Sequence, residues 1–240
     1  MENTNYKKLD AIKGTIAFFL FFILHYSSSL PFTLLKIDYN SLSITFKQIY
    51  LILYNLFMVG VLVYIYRNDL KKEWLDFKDN YKSYFKGNFK YWLFALAIMF
   101  ASNFIIALIK YSITKEIGTA ENEELIRETL AKAPIYTFIT ASICAPIMEE
   151  LTFRKSLRKI FNNKVLFIIV SSFIFGALHV FTDNMTFIDL LYLIPYCAPG
   201  VALAYILVKT DNIFNTISLH FLHNTILMIL QIVLLTRGLL

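Results

Sequence analysis

Three pairs of residues in this sequence share a spacing of four and could do chemistry together. Glu150 and Arg154 form one, with Glu149 beside them; Phe175 and His179 form the second, and His220 and Asn224 the third. Residues four apart lie on one face of a helix and can touch. Glu150 is thereby matched with Arg154, while Glu149, about 100° further round the helix, is left free. A carboxylate beside an imidazole can hold a water and take its proton. A His and an Asn one turn apart can both donate hydrogen bonds to one developing oxyanion. Water, base and oxyanion donors together amount to hydrolysis of an acyl bond, most naturally a peptide. Neither G-x-S-x-G nor H-E-x-x-H occurs, so the serine-hydrolase and zincin arrangements have no signature here.

These residues need elements to carry them, and the composition says where those elements lie. The chain has 240 residues, 58% of them hydrophobic, and a mean hydropathy of +0.58. Several apolar runs approach or exceed the ~20 residues that cross a bilayer. The expected fold is therefore all-α: one polytopic membrane domain over residues 1–240, with about seven spans near 14–35, 44–66, 90–110, 133–153, 165–182, 187–208 and 213–235. The first run is too long for a signal peptide and lacks a small-residue cleavage site, so it is read as part of the mature chain. Residues 67–90 alternate charge with Trp74, Phe77, Tyr81 and Tyr84 and read as an amphipathic helix on the cytoplasmic surface. With the N-terminus inside, the inner segments carry Lys7, Lys8 and Lys13; Arg67, Lys71, Lys72, Lys78, Lys82, Lys86 and Lys90; Arg154, Lys155, Arg158, Lys159 and Lys164; and Lys209. These are 16 of the 23 basic residues, the asymmetry of a cytoplasmic N-terminus in the cell membrane. The outer loop 111–132 is acidic, with Glu116, Glu121, Glu123, Glu124 and Glu128. The net charge of +6 suits anionic lipid headgroups and gives no reason to invoke nucleic acid.

Ionisable groups inside spans are costly, which makes each a functional candidate. The bland alternative for Glu149 and Glu150 is the wet end of span four, and for His25 a polar span end. Spacing argues for more. Spans four and five are joined by the short turn Asn162-Asn163-Lys164, an antiparallel hairpin in which facing residue numbers sum to roughly 326. Glu149 and His179 satisfy that sum, each about 21–24 Å from the turn. His220, eleven residues beyond Lys209, lies about 16 Å in, at comparable depth. Pro146, Pro195 and Pro199-Gly200 are read as helix breaks, which lipid tolerates where they border protein or a water-filled space. His223 reads as packing, and Cys144 and Cys197 as ordinary buried cysteines without ligand spacing.

Glu149-Glu150-xxx-Arg154, Phe175-xxx-His179 and His220-xxx-Asn224, in this order, resemble the three motifs of the CPBP (Abi, CAAX-protease-like) intramembrane proteases, relatives of the type II CAAX prenyl endopeptidases. The resemblance covers about residues 133–230 as a catalytic core. It implies a helical membrane fold with the site in a cavity open to one membrane face. It also implies a glutamate-dependent endopeptidase: Glu149 and His179 activate water, His220 and Asn224 hold the oxyanion, and Arg154, Glu150 and Phe175 support; no cofactor is expected, since Glu150 is matched with Arg154 and H-E-x-x-H is absent. Lys155 stands where many members have Gly.

Three other readings stay open. Glu149, Glu150, His179, His220 and His223 offer enough ligands for zinc. A non-proteolytic bacteriocin-immunity or scaffold protein could carry the same motifs. A proton-coupled transporter could use the same relay, although no internal repeat is visible. The partners expected are membrane lipid and a peptide or protein substrate. A composition rich in Ile, Asn, Lys and Phe suits a low-GC bacterium, where a leader, pheromone or bacteriocin-like peptide fits better than a prenylated protein. Orientation is directly testable: in intact cells, a cysteine placed at Lys82 is expected to resist a membrane-impermeant thiol reagent, and one at Glu123 to react. Labelling at position 82 alone would reverse the topology.

Overall fold

The computed structural model describes residues 2–115, 119–182 and 185–238; Glu116 of the acidic loop lies outside them. Its elements are helical throughout, with no strand among the described residues. Helix α1 (Glu2–Tyr26) and the short α2 (Leu30–Leu34) precede α3 (Ile44–Thr114), a single helix of 71 residues. Helix α4 (Glu121–Lys132) follows. Next comes a continuous helical run over 134–160, called α5, then α6 (Lys164–Val180). A 3₁₀ turn, Phe187–Tyr192, leads into α7 (Leu193–Thr210), and α8 (Ile213–Thr236) ends the chain.

Among the described residues, four stretches are long and apolar enough to cross a membrane: Lys7–Tyr26, Ile44–Thr114, Phe187–Thr210 and Ile213–Thr236, with Lys164–Val180 a shorter apolar helix. The chain is an all-α membrane protein. Span one stops at Tyr26 rather than residue 35. Expected spans two and three and the charged segment between them form one helix without a loop. That helix is not straight. Met58 and Ile106 would stand about 72 Å apart in a straight α-helix. Yet Met58 packs in one cluster with Phe21, Phe153 and Phe175, and Ile106 packs on Val180, five residues beyond Phe175. The first part of α3 runs along α1, where Tyr54 donates to the Leu24 carbonyl and Tyr50 to that of Ser28. The middle crosses the α7–α8 turn, and the last part returns along α7, where Tyr91 meets Tyr205. Residues 67–90 thus cap one end of the molecule as a strap.

Span six is not broken where its prolines suggested. Helix α7 runs through Pro199; Pro195 falls in its first turn, where a missing N–H leaves nothing unpaired. The irregularity lies upstream, in the 3₁₀ turn. Close packing explains two glycines instead. A Cβ on Gly176 would meet the Cys197 sulfur at 2.5 Å, and one on Gly200 would meet Ser172 at 3.2 Å, so α6 and α7 approach nearly backbone to backbone, as small residues permit in lipid.

The two ends of the bundle are chemically distinct. At one, Lys13 pairs with Asp69 at 3.1 Å, and Lys159 with Asp10 at 2.7 Å and Asp69 at 3.2 Å. Lys155 pairs with Glu73, and Lys209 donates to the Gly87 carbonyl. The segments read as cytoplasmic therefore meet in one place. At the other end Lys110 pairs with Asp189 at 3.3 Å, Glu123 accepts from Gln231 at 2.6 Å, and Thr182 donates to Glu121. Partial burial pushes the Asp69 carboxyl up, but Lys159 first, then Lys13 and Lys155, outweigh it and hold the group below its usual value. A depressed carboxyl stabilises the fold above its unfolded pKa and loses that contribution as pH falls through its folded pKa. Asp69→Asn should therefore lower the unfolding temperature in detergent at neutral pH by on the order of 1 kcal/mol of stability. The gap to the unmodified protein should close as pH drops below the ordinary value of 3.8. A gap that persists unchanged in acid would show that the carboxylate charge is not what matters.

Candidate active site

Helix α5 carries the two glutamates, and its backbone is unusual around them. Phe138–Cys144 and Glu150–Ser156 form π-helical turns on either side of Ala145–Glu149. Such i→i+5 turns widen a helix and recur at functional sites. Their orphaned groups find partners here. Ser156 donates to the Leu151 carbonyl at 2.9 Å, and Ser171 of α6 to that of Phe153 at 2.6 Å. Ala145 N–H bonds to the Thr140 carbonyl. The next donor in that register would be residue 146, which is proline and has none. The carbonyl left over is Ala141's, and Asn224 of α8 donates its side-chain amide to it at 2.8 Å. Asn224 thereby ties α8 to the kink that Pro146 makes.

The adjacent glutamates meet different surroundings. Glu150 is sealed, with no exposed surface. Its Oε2 stands 3.6 Å from Arg154 Nε, itself fully buried, and its Oε1 is 2.9 Å from His220 Nδ1. Arg154 also lies 4.4 Å over the Phe175 ring and within 3.5 Å of the Gly200 carbonyl. Glu149 keeps 18% of its side chain exposed and faces the other nitrogen of the same imidazole, 3.6 Å from Nε2. With Nδ1 bonded to Glu150, Nε2 is the nitrogen turned toward Glu149. At 3.6 Å the two atoms are too close for a water between them and just beyond a direct hydrogen bond.

His179 stands apart from this pair. The hairpin register is close to the one expected, since Phe153 meets Phe175 with ring centres 6.3 Å apart. However, Phe175 lies between the two imidazoles, 4.8 Å from the ring centre of His179 and 5.8 Å from that of His220. His179 Nδ1 is bonded to the Phe175 carbonyl at 2.9 Å, and its ring leans on Tyr196 at 5.0 Å. Matching depth placed His179 on the right level; depth says nothing about which way a ring turns. Glu149, Glu150, Arg154 and His220 are brought together; Asn224, one turn from His220, is held on the Ala141 carbonyl, and His179 lies across Phe175. His223 is buried and turned to Trp92 on α3. His25 stacks on Phe21.

Spacing could not reveal Tyr196, Ala141 or Glu73. Glu73 of α3 accepts from Ile213 N–H at 2.8 Å, at the start of α8, and pairs with Lys155 of α5. Its neighbour Asp76 accepts from Asn212 at 2.7 Å. The alternation of charge in 67–90 was the only available signal for these two.

Removing one member of a buried ion pair leaves the other uncompensated, at a cost of roughly 3–5 kcal/mol. Arg154→Met and Glu150→Gln should each strongly lower the yield and unfolding temperature of detergent-solubilised protein, whereas Glu149→Gln should leave both near the unmodified values. Equal melting of all four proteins would mean that the Glu150–Arg154 pair is not a structural requirement.

Comparison with known proteins places these residues in a lineage. Residues 131–226 match the family model described as Type II CAAX prenyl endopeptidase Rce1-like. The chain is 31% identical to the Bacillus subtilis protein named "Putative membrane peptidase YdiL" over 149 residues, 57% of each chain. It is 33% identical to the Lactococcus lactis "UPF0177 protein YaiH" over 94 residues, 39% of this chain and 37% of that one. The chain thus spans a little over half the length of the first relative and less of the second. No solved structure matches it. All three motif pairs fall within the region that matches the Rce1-like family model.

Proposed function

We propose that the chain is a membrane-embedded endopeptidase of the CAAX-protease type in which Glu149 is the general base. The observation that carries this reading is the opposite fate of two adjacent carboxylates. Glu150 is enclosed and neutralised between Arg154 and His220, and Glu149 is open and faces His220 Nε2 at 3.6 Å. A water between Glu149 and the substrate carbonyl would lose its proton to Glu149 as it attacks, and Glu149 would pass that proton to the amine nitrogen as the C–N bond breaks. His220, backed by the Glu150 carboxylate, is suited to carry a proton on Nε2 and to donate it as a hydrogen bond to the tetrahedral oxyanion. Asn224 spends one amide N–H on the Ala141 carbonyl, which fixes the amide and leaves its second N–H to serve the same oxyanion. His179, held on the Phe175 carbonyl and the Tyr196 ring, lies beyond Phe175 from this pair. The family and the relative named a membrane peptidase support this class of chemistry. The substrate proposed is a membrane-associated peptide or protein, such as a leader, pheromone or bacteriocin-like peptide, cut by a protein of the cell membrane with a cytoplasmic N-terminus.

The proposed reaction needs no metal. Both Glu150 oxygens already face a cation or an imidazole, which leaves Glu149 and His220 short of the three ligands a catalytic zinc takes. Comparing the peptides of membrane fractions from cells with the unmodified protein and with Glu149→Gln should reveal a product that disappears in the variant. Asn224→Ala should lower turnover by about 10²-fold or more, the scale of one lost oxyanion donor. Cleavage should survive prolonged treatment with EDTA or phenanthroline. An unchanged peptide profile in Glu149→Gln would remove the general-base role, and activity lost on chelation and restored by zinc alone would replace it with a metal mechanism.

A further inference from the structure

Helix α4 lies across the end of the bundle at which α6 finishes and α7 begins. Its first turn supplies three ties. Thr182, three residues beyond His179, donates to Glu121. Asn122 donates to the Tyr196 hydroxyl at 3.4 Å. Gln231, about two turns beyond Asn224 on α8, donates to Glu123 at 2.6 Å. Consecutive residues of α4 thus reach the end of α6, then α7, then α8. Tyr196 is also the ring on which His179 leans, so the tie through Asn122 ends one contact away from a motif histidine. The space beside His179 under α4 is small. His179, Ala120, Glu121, Thr182, Asp189 and Tyr192 line a cavity of about 10 Å³, room for one water at most. A peptide has no place there while α4 is in position.

Apart from those ties, the hold on α4 is slight. A packed helix buries an apolar stripe, but Leu130 is the one buried residue among the twelve of α4, and Leu125 is 63% exposed. Each side-chain tie contributes little net, because water replaces it when it breaks. Segments with few buried apolar contacts are the first to open. The joint is at Ala133, where the chain leaves helical geometry at φ −149° and ψ 65° and Pro134 begins α5. A residue before proline is disfavoured in a helix, so α4 can swing there without unwinding α5. We propose, with His179 taken as a site residue as above, that α4 is a lid over the candidate active site. Glu121, Asn122 and Glu123 latch it, Ala133 is its hinge, and its opening admits a peptide beside His179. Arg127 pairs with Glu123 inside α4 at 3.2 Å, so opening leaves that carboxylate with a partner.

The lid can be followed in full-length protein in which Cys144→Ala and Cys197→Ala remove both native thiols. Nitroxide labels on Leu125→Cys in α4 and Lys82→Cys in the strap, both exposed positions, report the separation of the two ends by pulsed electron resonance. Adding Asn122→Ala and Glu123→Ala should raise the ratio of a longer distance to the latched one by roughly tenfold, the scale of two lost hydrogen bonds. A distance distribution unchanged by the latch substitutions would overturn the lid, whatever reaction the site performs. In the same thiol-free background, Glu121→Cys and Thr182→Cys would be joined by a reducible bismaleimide. Joining should stop formation of the product that Glu149→Gln removes, and reduction of the linker should restore it in the same molecules. A joined protein that forms this product at the unmodified rate would overturn the lid and leave the general base intact. A peptide profile indifferent to Glu149→Gln would remove the general base instead, and the distance measurement alone would then decide the lid.

Discussion

The buried line of charge Arg154–Glu150–His220 is the constraint on which the rest of the structure depends. Three ionisable side chains, each at most 5% exposed, sit inside a protein whose surroundings are lipid. Desolvating them is expensive, and their mutual attraction offsets the cost only when geometry is close and other groups complete the contacts. That completion draws on four helices. Glu150 and Arg154 come from α5, and His220 from α8. The Gly200 carbonyl comes from α7, and the Phe175 ring under the guanidinium from α6. A shift of any one helix would leave a charge unmatched, so the bundle has little freedom at this level. The backbone contacts at Gly176 and Gly200 serve the same end, since they bring α7 near enough for its carbonyl to reach Arg154.

A second tie fixes the same helices at the end of the bundle. Glu73 of the strap holds Lys155 of α5 with one oxygen and the first amide of α8 with the other. Helices α5 and α8 are therefore joined through Glu73 as well as through Glu150–His220 and Asn224–Ala141. Joints at separate levels set the sliding register of one helix against the other, which a single joint would not. An acidic residue at the N-terminus of α8 also suits the partial positive charge there. The strap is thus part of the frame that holds the site, although it lies outside the region matched to the family.

The fold class was legible because lipid imposes long apolar runs and the three pairs recur at helical spacing. The hairpin register of α5 and α6 was legible because its turn is only three residues long and leaves little slack. Three things were not. Helix α3 hides its turn, since nothing in residues 67–90 stops a helix and only packing shows that the chain doubles back. Pro195 and Pro199 looked like breaks, yet α7 runs through both; proline costs little in a first turn, and in lipid neighbouring helices make good the rest. The direction of the His179 ring was invisible, because spacing gives depth and face but not the rotamer that a Phe175 carbonyl and a Tyr196 ring select.

The π-helical turns explain why two neighbouring glutamates can do unlike work. Glu149 closes a stretch of ordinary α-helix, and Glu150 opens a wider one. In the wider turn the residue four along comes nearly into line, so Arg154 is held beside Glu150, and Glu149 is turned toward the opening. A single imidazole then touches both carboxylates through its two nitrogens, Nδ1 at 2.9 Å from Glu150 and Nε2 at 3.6 Å from Glu149. The closer contact, backed by a guanidinium, fixes the ring and its tautomer. The looser one leaves room for a proton to move. Asn224 holds the kink that starts this sequence of turns, through the one carbonyl that Pro146 strands. The proline and the two glutamates, within one stretch of α5, and the asparagine from distant α8 are thus parts of one backbone device that separates a structural carboxylate from a chemical one.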